Sequence, residues 1–186
     1  MFKLNEELPT SVVINGEEYK VDMSFDNIIT INEALNDDEL SWEVQLYIGL
    51  KRLFVDLPDL PMKELEKVFV ETYKGLVGIG EKKVKLDIKG NPMPSSPGED
   101  GGKPSYDLVQ DAEYIFASFF QYYGMDLHEH LGKLHYYKFR ALLNGLGEDT
   151  IFQKIVHIRT CDLPSGKGSG KEKERMIELK KKYALK

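Results

Sequence analysis

A histidine-rich segment after residue 124 contains the first residues that could do chemistry. Asp126, His128 and His130 alternate along the chain, and His135 follows five residues later. Imidazole and carboxylate groups bind metals, but this spacing lacks the paired Cys and His ligands of a structural zinc site. Between helices, such residues more often serve as polar surface or as helix caps. We therefore expect no metal site and no cofactor.

Two other motifs contain some, but not all, of the residues that a reactive thiol or a phosphate-binding loop requires. His157 and Cys161 lie four residues apart, which could activate a thiolate on a helix face, but no third group that would orient them is evident. Residues 165–171, SGKGSGK, resemble a phosphate-binding loop. However, Ser165 occupies the position of the motif's first glycine, and Glu172 follows Lys171 where the motif has Ser or Thr. Carboxylates are scattered, with no pair placed across a cleft. We expect no enzyme activity.

Aromatic side chains are concentrated in one part of the chain. Nine of them fall within the 26 residues 114–139, and most should form core. Three of the tyrosines exceed what one helical stripe can bury, and exposed tyrosines beside arginine are typical of protein-binding hot spots. The predicted partner-binding residues are Tyr122, Tyr136, Tyr137 and Arg140.

Residues 105–159 must form the helices that position these side chains. Asp107 with Gln110 predicts a capping box, and Gly124 predicts the helix end. A second helix is expected from Leu131 to Leu146, and Thr150 with Gln153 should open a third. The predicted buried face of the first helix, at helical spacing, is Leu108, Val109, Ala112, Ile115, Phe116, Phe119, Phe120 and Tyr123.

The rest of the chain predicts a hairpin and further helices. Residues 11–23 alternate apolar and polar side chains around Asn15-Gly16, the dipeptide typical of a type I′ turn. Ser24 and Ser41 could cap two helices, and Pro61 suits the start of another. The fold class expected is mainly α, a multi-helix bundle with a small N-terminal β-hairpin.

Composition suggests how the chain is organised. Residues 1–163 are expected to form a single mainly helical domain, with the Gly- and Pro-rich residues 89–105 as an inserted mobile loop. Residues 164–186 should be a flexible basic tail with a short helix. Such a tail is usually solvated, but it could also dock on an acidic partner or on the chain's own acidic body.

Charge is unevenly distributed between these parts. The 186 residues carry a formal net charge of −6. Residues 164–186 contain eight Lys and Arg against three Glu, a net +5, which leaves −11 on residues 1–163. An acidic body disfavours nucleic-acid binding, because phosphate contacts need clustered Lys and Arg. A single cysteine suits a reducing compartment, and neither a membrane span nor a secretory signal is expected.

Several segments of the chain resemble one protein family. One of them is the hairpin at Asn15–Tyr19, which is followed by a helix at Phe25. The other matching segments are Asp111–Phe119 (DAEYIFASF), Tyr123–Leu127 (YGMDL), Leu134–Leu143 (LHYYKFRALL) and Arg159–Thr160. Together they resemble a family of small tail-module proteins of long-tailed bacteriophages and prophages. The resemblance covers nearly the whole chain, with residues 89–105 as its variable part.

The resemblance implies a function in tail assembly. Genes of this family tend to lie just before the tape-measure gene, the usual place of a tail assembly chaperone. The implied role is to bind the tape-measure protein or other tail proteins during tail assembly in the host (bacterial) cytoplasm, without catalysis. A homo-oligomer is one option for the chain itself. One alternative is a structural component of the phage tail or tail initiator. Another is a DNA-binding regulator that uses residues 134–158 as a helix-turn-helix, which the acidic body disfavours.

Overall fold

A computed structural model of the chain describes residues 3–77, 105–165 and 169–185. Within them lie two strands, seven α-helices and one 3-10 turn, so the predicted mainly helical fold with an N-terminal β-hairpin is confirmed. In chain order the elements are β1 (Ser11–Ile14), β2 (Glu17–Lys20), α1 (Phe25–Leu35), α2 (Trp42–Leu53), α3 (Met62–Val77), α4 (Ala112–Tyr123), the 3-10 turn (Leu127–His130), α5 (Tyr136–Asn144), α6 (Ile151–Thr160) and α7 (Gly170–Lys182).

The hairpin forms as its turn residues predict. Asn15 and Gly16 have φ angles of 52° and 87°, the positive values of a type I′ turn. The strands pair antiparallel from Ser11 opposite Lys20 to Ile14 opposite Glu17. Beyond β2, Val21 forms an antiparallel bridge with Phe54, just after α2. A hairpin alone is marginally stable in water, and this bridge attaches it to the helices.

Contacts divide the described chain into two compact units, and the first contains residues 3–77 with 128–144. Its core includes the stacked rings of Phe25 and Phe139, whose centroids are 4.8 Å apart. Helices α2 and α3 pack very closely at Gly49. A Cβ atom at this position would lie only 2.3 Å from the ring of Phe69. Glycine is therefore required at position 49 for this approach.

The second unit contains residues 105–127 with 145–165 and 169–185. Helix α4 packs on α6, and α6 packs on α7. Phe119, Phe152 and Ile155 are buried between these helices. The buried hydroxyl of Ser118 accepts a hydrogen bond from the backbone N–H of Phe152 at 3.1 Å, which satisfies a polar group inside an apolar interface.

Two helix boundaries differ from the sequence predictions. Helix α4 begins at Ala112, because Asp107 caps the preceding turn instead, accepting backbone N–H bonds from Val109 and Gln110. The second helix runs only from Tyr136 to Asn144, not from Leu131 to Leu146. By contrast, Gly124 does end α4 in the left-handed conformation, and the Thr150 hydroxyl does cap α6 at the N–H of Gln153.

The predicted buried face of α4 was partly wrong. Ile115 and Phe119 are buried, but Val109 and Phe120 are 48% and 58% exposed, and Ala112 is also exposed. A face that included all eight predicted positions would be wider than the part of the helix that α6 covers. The proposed loop 89–105 lies outside the described residues apart from Ser105. The assignment of residues 1–163 to one domain stays a prediction.

Candidate protein-interaction surfaces

Helix α4 carries two stacked phenylalanines, the half-buried Phe116 and the exposed Phe120, which we call the α4 aromatic face. The two residues are four apart, so they share one side of the helix. Their rings stack with centroids 6.4 Å apart, and Phe120 is 58% exposed. The neighbouring side chains Ala117 and Gln121 are also exposed. An exposed aromatic ring that is stacked on a half-buried one is typical of a protein-binding site.

Helix α2 exposes a second apolar surface, formed by Val44 and Tyr47, which we call the α2 aromatic face. These side chains are 44% and 59% exposed, and Trp42, on another side of the same helix, is 41% exposed. The indole Nε1–H of Trp42 donates a hydrogen bond to Glu66 Oε1 on α3 at 2.9 Å. This bond connects the start of α2 to α3.

The two ends of the α2 aromatic face differ in charge. Asp37, Asp38, Glu39 and Glu43 are exposed at its N-terminal border, whereas Lys51 is exposed one turn after Tyr47. The pKa of Glu43 lies below its ordinary value, because the carboxylate accepts hydrogen bonds from its own backbone N–H and from Ser41 at the start of α2. The border is therefore negatively charged at neutral pH.

The structure separates the four predicted binding residues. Tyr136 is only 6% exposed, so the prediction of an exposed ring at this position was wrong. Its helix buries the side that carries Tyr136, Phe139 and Leu143. Tyr122 is 48% exposed and belongs to the second unit, where its ring lies against Gly147.

Tyr137 and Arg140 bind the end of a neighbouring helix within the first unit. The Tyr137 hydroxyl donates to the carbonyl of Leu76 at 2.5 Å, and Arg140 Nη1 donates to the carbonyl of Val77 at 3.1 Å. These are carbonyls of the last turn of α3, which have no partner inside their own helix. Their contacts give both side chains a structural role, while a role in partner binding stays a prediction.

Arg159 holds the second unit together through a buried ion pair. Its Nη1 and Nη2 atoms lie 2.6 and 2.7 Å from the two carboxylate oxygens of Asp111. The side chains are 11% and 1% exposed respectively. Arg159 Nε also donates to the Tyr183 carbonyl at 2.6 Å. The hydrogen bonds with Asp111 raise the pKa of Arg159 above its ordinary value.

The histidine and cysteine candidates have structural surroundings. His135 Nδ1 accepts the N–H of Tyr137 at 3.1 Å and Nε2 lies 3.0 Å from the Pro9 carbonyl, so the proton belongs on Nε2. His135 thus caps α5, and burial lowers its pKa. Cys161 Sγ lies 3.8 Å from Met176 Sδ. In the described ranges, no three His, Cys, Asp or Glu side chains are grouped to hold a metal ion.

A family model described as "Bacteriophage Gp15 protein" matches residues 4–185 of the chain. The chain belongs to this bacteriophage Gp15 family. No curated protein and no solved structure matches the chain significantly. As a Gp15-family member it is a bacteriophage protein, which agrees with the phage origin implied by the segments that resemble tail-module proteins.

Sequence reasoning missed several exposed rings of this Gp15-family chain. Phe120 was assigned to the core, and Trp42 was placed on one face with Leu46, although it is 41% exposed. The positions of Val44 and Tyr47, three residues apart and offset from the buried residues of α2, could have revealed the second face. None of the helices in the described ranges is both long and apolar enough to cross a membrane.

Proposed function

We propose that this chain is a non-catalytic tail assembly chaperone of a bacteriophage or prophage. It binds the tape-measure protein during tail morphogenesis in the host cytoplasm. Family membership supports the phage origin, and the resemblance to tail-module proteins supports the tail role. The observation that carries the proposal is the α4 aromatic face, where Phe120 is 58% exposed and stacked on Phe116.

The chemistry of the α4 aromatic face suits an apolar helical partner. A tape-measure protein is a long rod rich in coiled coil, whose apolar seams are exposed before the tail is assembled. Amphipathic helices bind through apolar residues that recur every three or four positions. Phe116 and Phe120 recur at this spacing, and the exposed ring of Phe120 provides the apolar contact surface. The exposed Glu113 and Gln121 on the same helix provide polar groups around the rings.

The proposal includes no catalytic step. Arg159 and Asp111 are occupied by each other, and His135 is occupied as a helix cap. Helper proteins that keep a partner from aggregating need an apolar contact surface and a charged exterior, not a reactive group.

Co-expression with the product of the neighbouring tape-measure gene tests the proposal. We expect a defined complex by size exclusion with light scattering, and tape-measure protein that is insoluble when expressed alone. The variant Phe120→Ser should weaken binding at least tenfold, because removing a central hot-spot side chain costs about 2 kcal/mol or more. Tyr47→Ser is the matched control, since Tyr47 is 59% exposed but lies on α2. Absence of a complex, or equal binding by Phe120→Ser, would contradict the proposal.

A structural component of the tail is the alternative that the hairpin favours. Val13 on β1 is 73% exposed, and strand edges readily pair with other chains. Mass spectrometry of purified virions separates the two functions. A chaperone should be missing from the finished particle, whereas a structural component should be present in stoichiometric amount.

A further inference from the structure

The outer edge of β1 is a strand edge that no other described residue pairs with. The far side of the hairpin is covered, because the Val55 N–H donates to the Lys20 carbonyl at 3.1 Å beyond β2. Ser11 lies opposite Lys20 in the hairpin. Opposite residues of an antiparallel pair direct their backbone groups either at each other or both outward. Since the Lys20 carbonyl points away from β1, the N–H and C=O groups of Ser11, and of Val13 two residues later, point away from β2.

These outward groups are open for pairing. The N–H and C=O groups of Ser11 and Val13 have no hydrogen-bond partner in the described ranges, and the Val13 side chain is 73% exposed. Sheets usually protect such an edge with Lys, Pro or a bulge, and β1 contains none of these. The open stretch ends at Asn15, where the turn begins, and at Pro9, whose carbonyl lies 3.0 Å from His135 Nε2.

A second copy of β1 fits this edge in one register. With a two-fold axis at Val12, Ser11 of each copy lies opposite Val13 of the other. The two residues then exchange both N–H···O bonds on each side of the axis, so every open group is paired. An axis at Ser11 or at Val13 leaves half of these groups unpaired. In those two registers the residue opposite is Pro9 or Asn15, and neither can complete the ladder.

The charges beside the edge are compatible with this pairing. Strand β1 has no charged residue, and on β2 Glu18 lies opposite Val13 while Lys20 lies opposite Ser11. Each row of side chains across the paired sheet therefore begins with Glu18 of one copy and ends with Lys20 of the other. Although each chain has a net charge of −6, no like charges lie in the same row at this edge.

We infer that this chain forms a two-fold dimer through β1, which joins the two hairpins into one antiparallel sheet. The main chain supplies the hydrogen bonds, and Val13 gains Ser11 of the second copy as a cross-strand neighbour that covers part of its exposed side chain. Because the ladder is short, we expect a weak dimer with a Kd on the order of 10–100 µM. This inference does not depend on the chaperone function, so Phe120→Ser should dimerise like the unmodified chain.

Sedimentation equilibrium of the full chain between about 1 and about 500 µM tests the inference, and we expect a reversible monomer–dimer equilibrium. Val13→Pro should weaken the dimer by about tenfold or more, because proline removes the outward N–H while the hydrogen bonds within the hairpin stay intact. Val13→Thr is the matched control. It keeps the N–H and the β-branched shape, so it should change the dimer Kd by less than about threefold. Circular dichroism checks that both variants are folded.

Disulfide trapping tests the register. A Cys161→Ser background removes the single cysteine of the chain, and Val12→Cys then places two thiols across the two-fold axis. Position 12 forms a pair without hydrogen bonds between the copies, where Cα atoms are about 4.5 Å apart and within reach of a disulfide. Val13→Cys is the control. Its thiols are more exposed but diagonal, about 7–8 Å apart, so position 12 should cross-link about tenfold faster or more.

Four results would overturn the inference. The first is a chain that stays monomeric at all these concentrations. The second is Val13→Pro dimerising like the unmodified chain, and the third is Val13→Thr losing as much association as Val13→Pro, because a side chain and not the strand edge would then make the contact. The fourth is cross-linking as fast at position 13 as at position 12. A monomeric chain whose binding to the tape-measure protein is lost in Val13→Pro would assign the edge to a strand of that partner instead.

Discussion

The two units use an arginine in different ways. In the first, Arg140 is exposed, donates to the Val77 carbonyl and lies 5.7 Å from the centre of the Tyr136 ring. In the second, Arg159 is 11% exposed and makes a two-pronged contact with the buried carboxylate of Asp111. Both arginines connect parts of their unit, but only the loss of Arg159 would leave a buried charge, that of Asp111, without its partner.

This difference shows where each unit obtains its stability. The first unit joins its parts through several separate hydrogen bonds, from the Tyr137 hydroxyl, the His135 ring and the exposed Arg140, around a core of stacked aromatic side chains. The second unit concentrates its connections at one charged residue, since Arg159 binds Asp111 and the backbone at Ser105 and Tyr183. A single substitution should therefore damage the second unit far more than the first.

The largest expected effect is that of Arg159→Met. It should lower the free energy of unfolding by about 3–5 kcal/mol, because the carboxylate of Asp111 remains buried without its partner. Urea denaturation followed by circular dichroism measures the change. The matched variant Arg140→Met should lose only about 1 kcal/mol, since Arg140 itself is exposed and its removal leaves no buried charge without a partner. Equal losses in both variants would contradict the comparison.

A packing change in the first unit should have an intermediate effect. Gly49→Ala should cost about 1–3 kcal/mol, because the new methyl group overlaps the buried ring of Phe69 and both helices must shift. Fluorescence of Trp42, the only tryptophan, follows this unit during urea denaturation. Gly75→Ala is the control, with open space around its Cβ position on α3, and it should stabilise the chain by about 0.5–1 kcal/mol. If Gly49→Ala left the free energy of unfolding unchanged, the α2–α3 contact would be able to adapt to the added methyl group.

The smallest effect is the pH dependence caused by His135. Burial lowers its pKa in the folded chain, so the unfolded chain binds more protons as the pH falls below about 6.5. Stability should therefore decrease from that pH downward until the lowered folded pKa is passed. His135→Asn keeps a capping oxygen for α5 without titrating, so it should lose this part of the pH dependence. If the free energy of unfolding changed equally between pH 7 and pH 5 in both proteins, this pH dependence would not come from His135.

Local sequence features predicted the elements well where one residue type was required. Asn15-Gly16 predicted the hairpin because few residues adopt two successive positive φ angles, and Gly124 predicted the end of α4 for the same reason. Thr150 predicted the start of α6, because its hydroxyl can satisfy a backbone N–H of the first turn. At Ser24 and Ser41 the helix starts were also correct, although neither hydroxyl makes a capping bond.

The candidate surfaces were predicted less well, because exposure depends on neighbours far away in sequence. An apolar helix position is buried only where another element covers it, and periodicity does not show how wide that cover is. Phe119 and Phe120 are adjacent, yet one is fully buried and the other is 58% exposed. The tyrosines on α5 were misjudged for the same reason, since Tyr136 lies in the core and Tyr137 reaches the end of α3.

By itself the sequence determined the helical class, the hairpin turn and several helix ends, because these follow from the conformations that individual residues can adopt. It also showed the contrast between an acidic body and a basic C-terminal segment. Only the tertiary structure decided that Asp111 and Arg159 pair, and that Phe120 and Tyr47 are exposed. The ion pair joins residues 48 positions apart, and the exposures depend on which helices meet. Such long-range pairing leaves no regular pattern along a single chain.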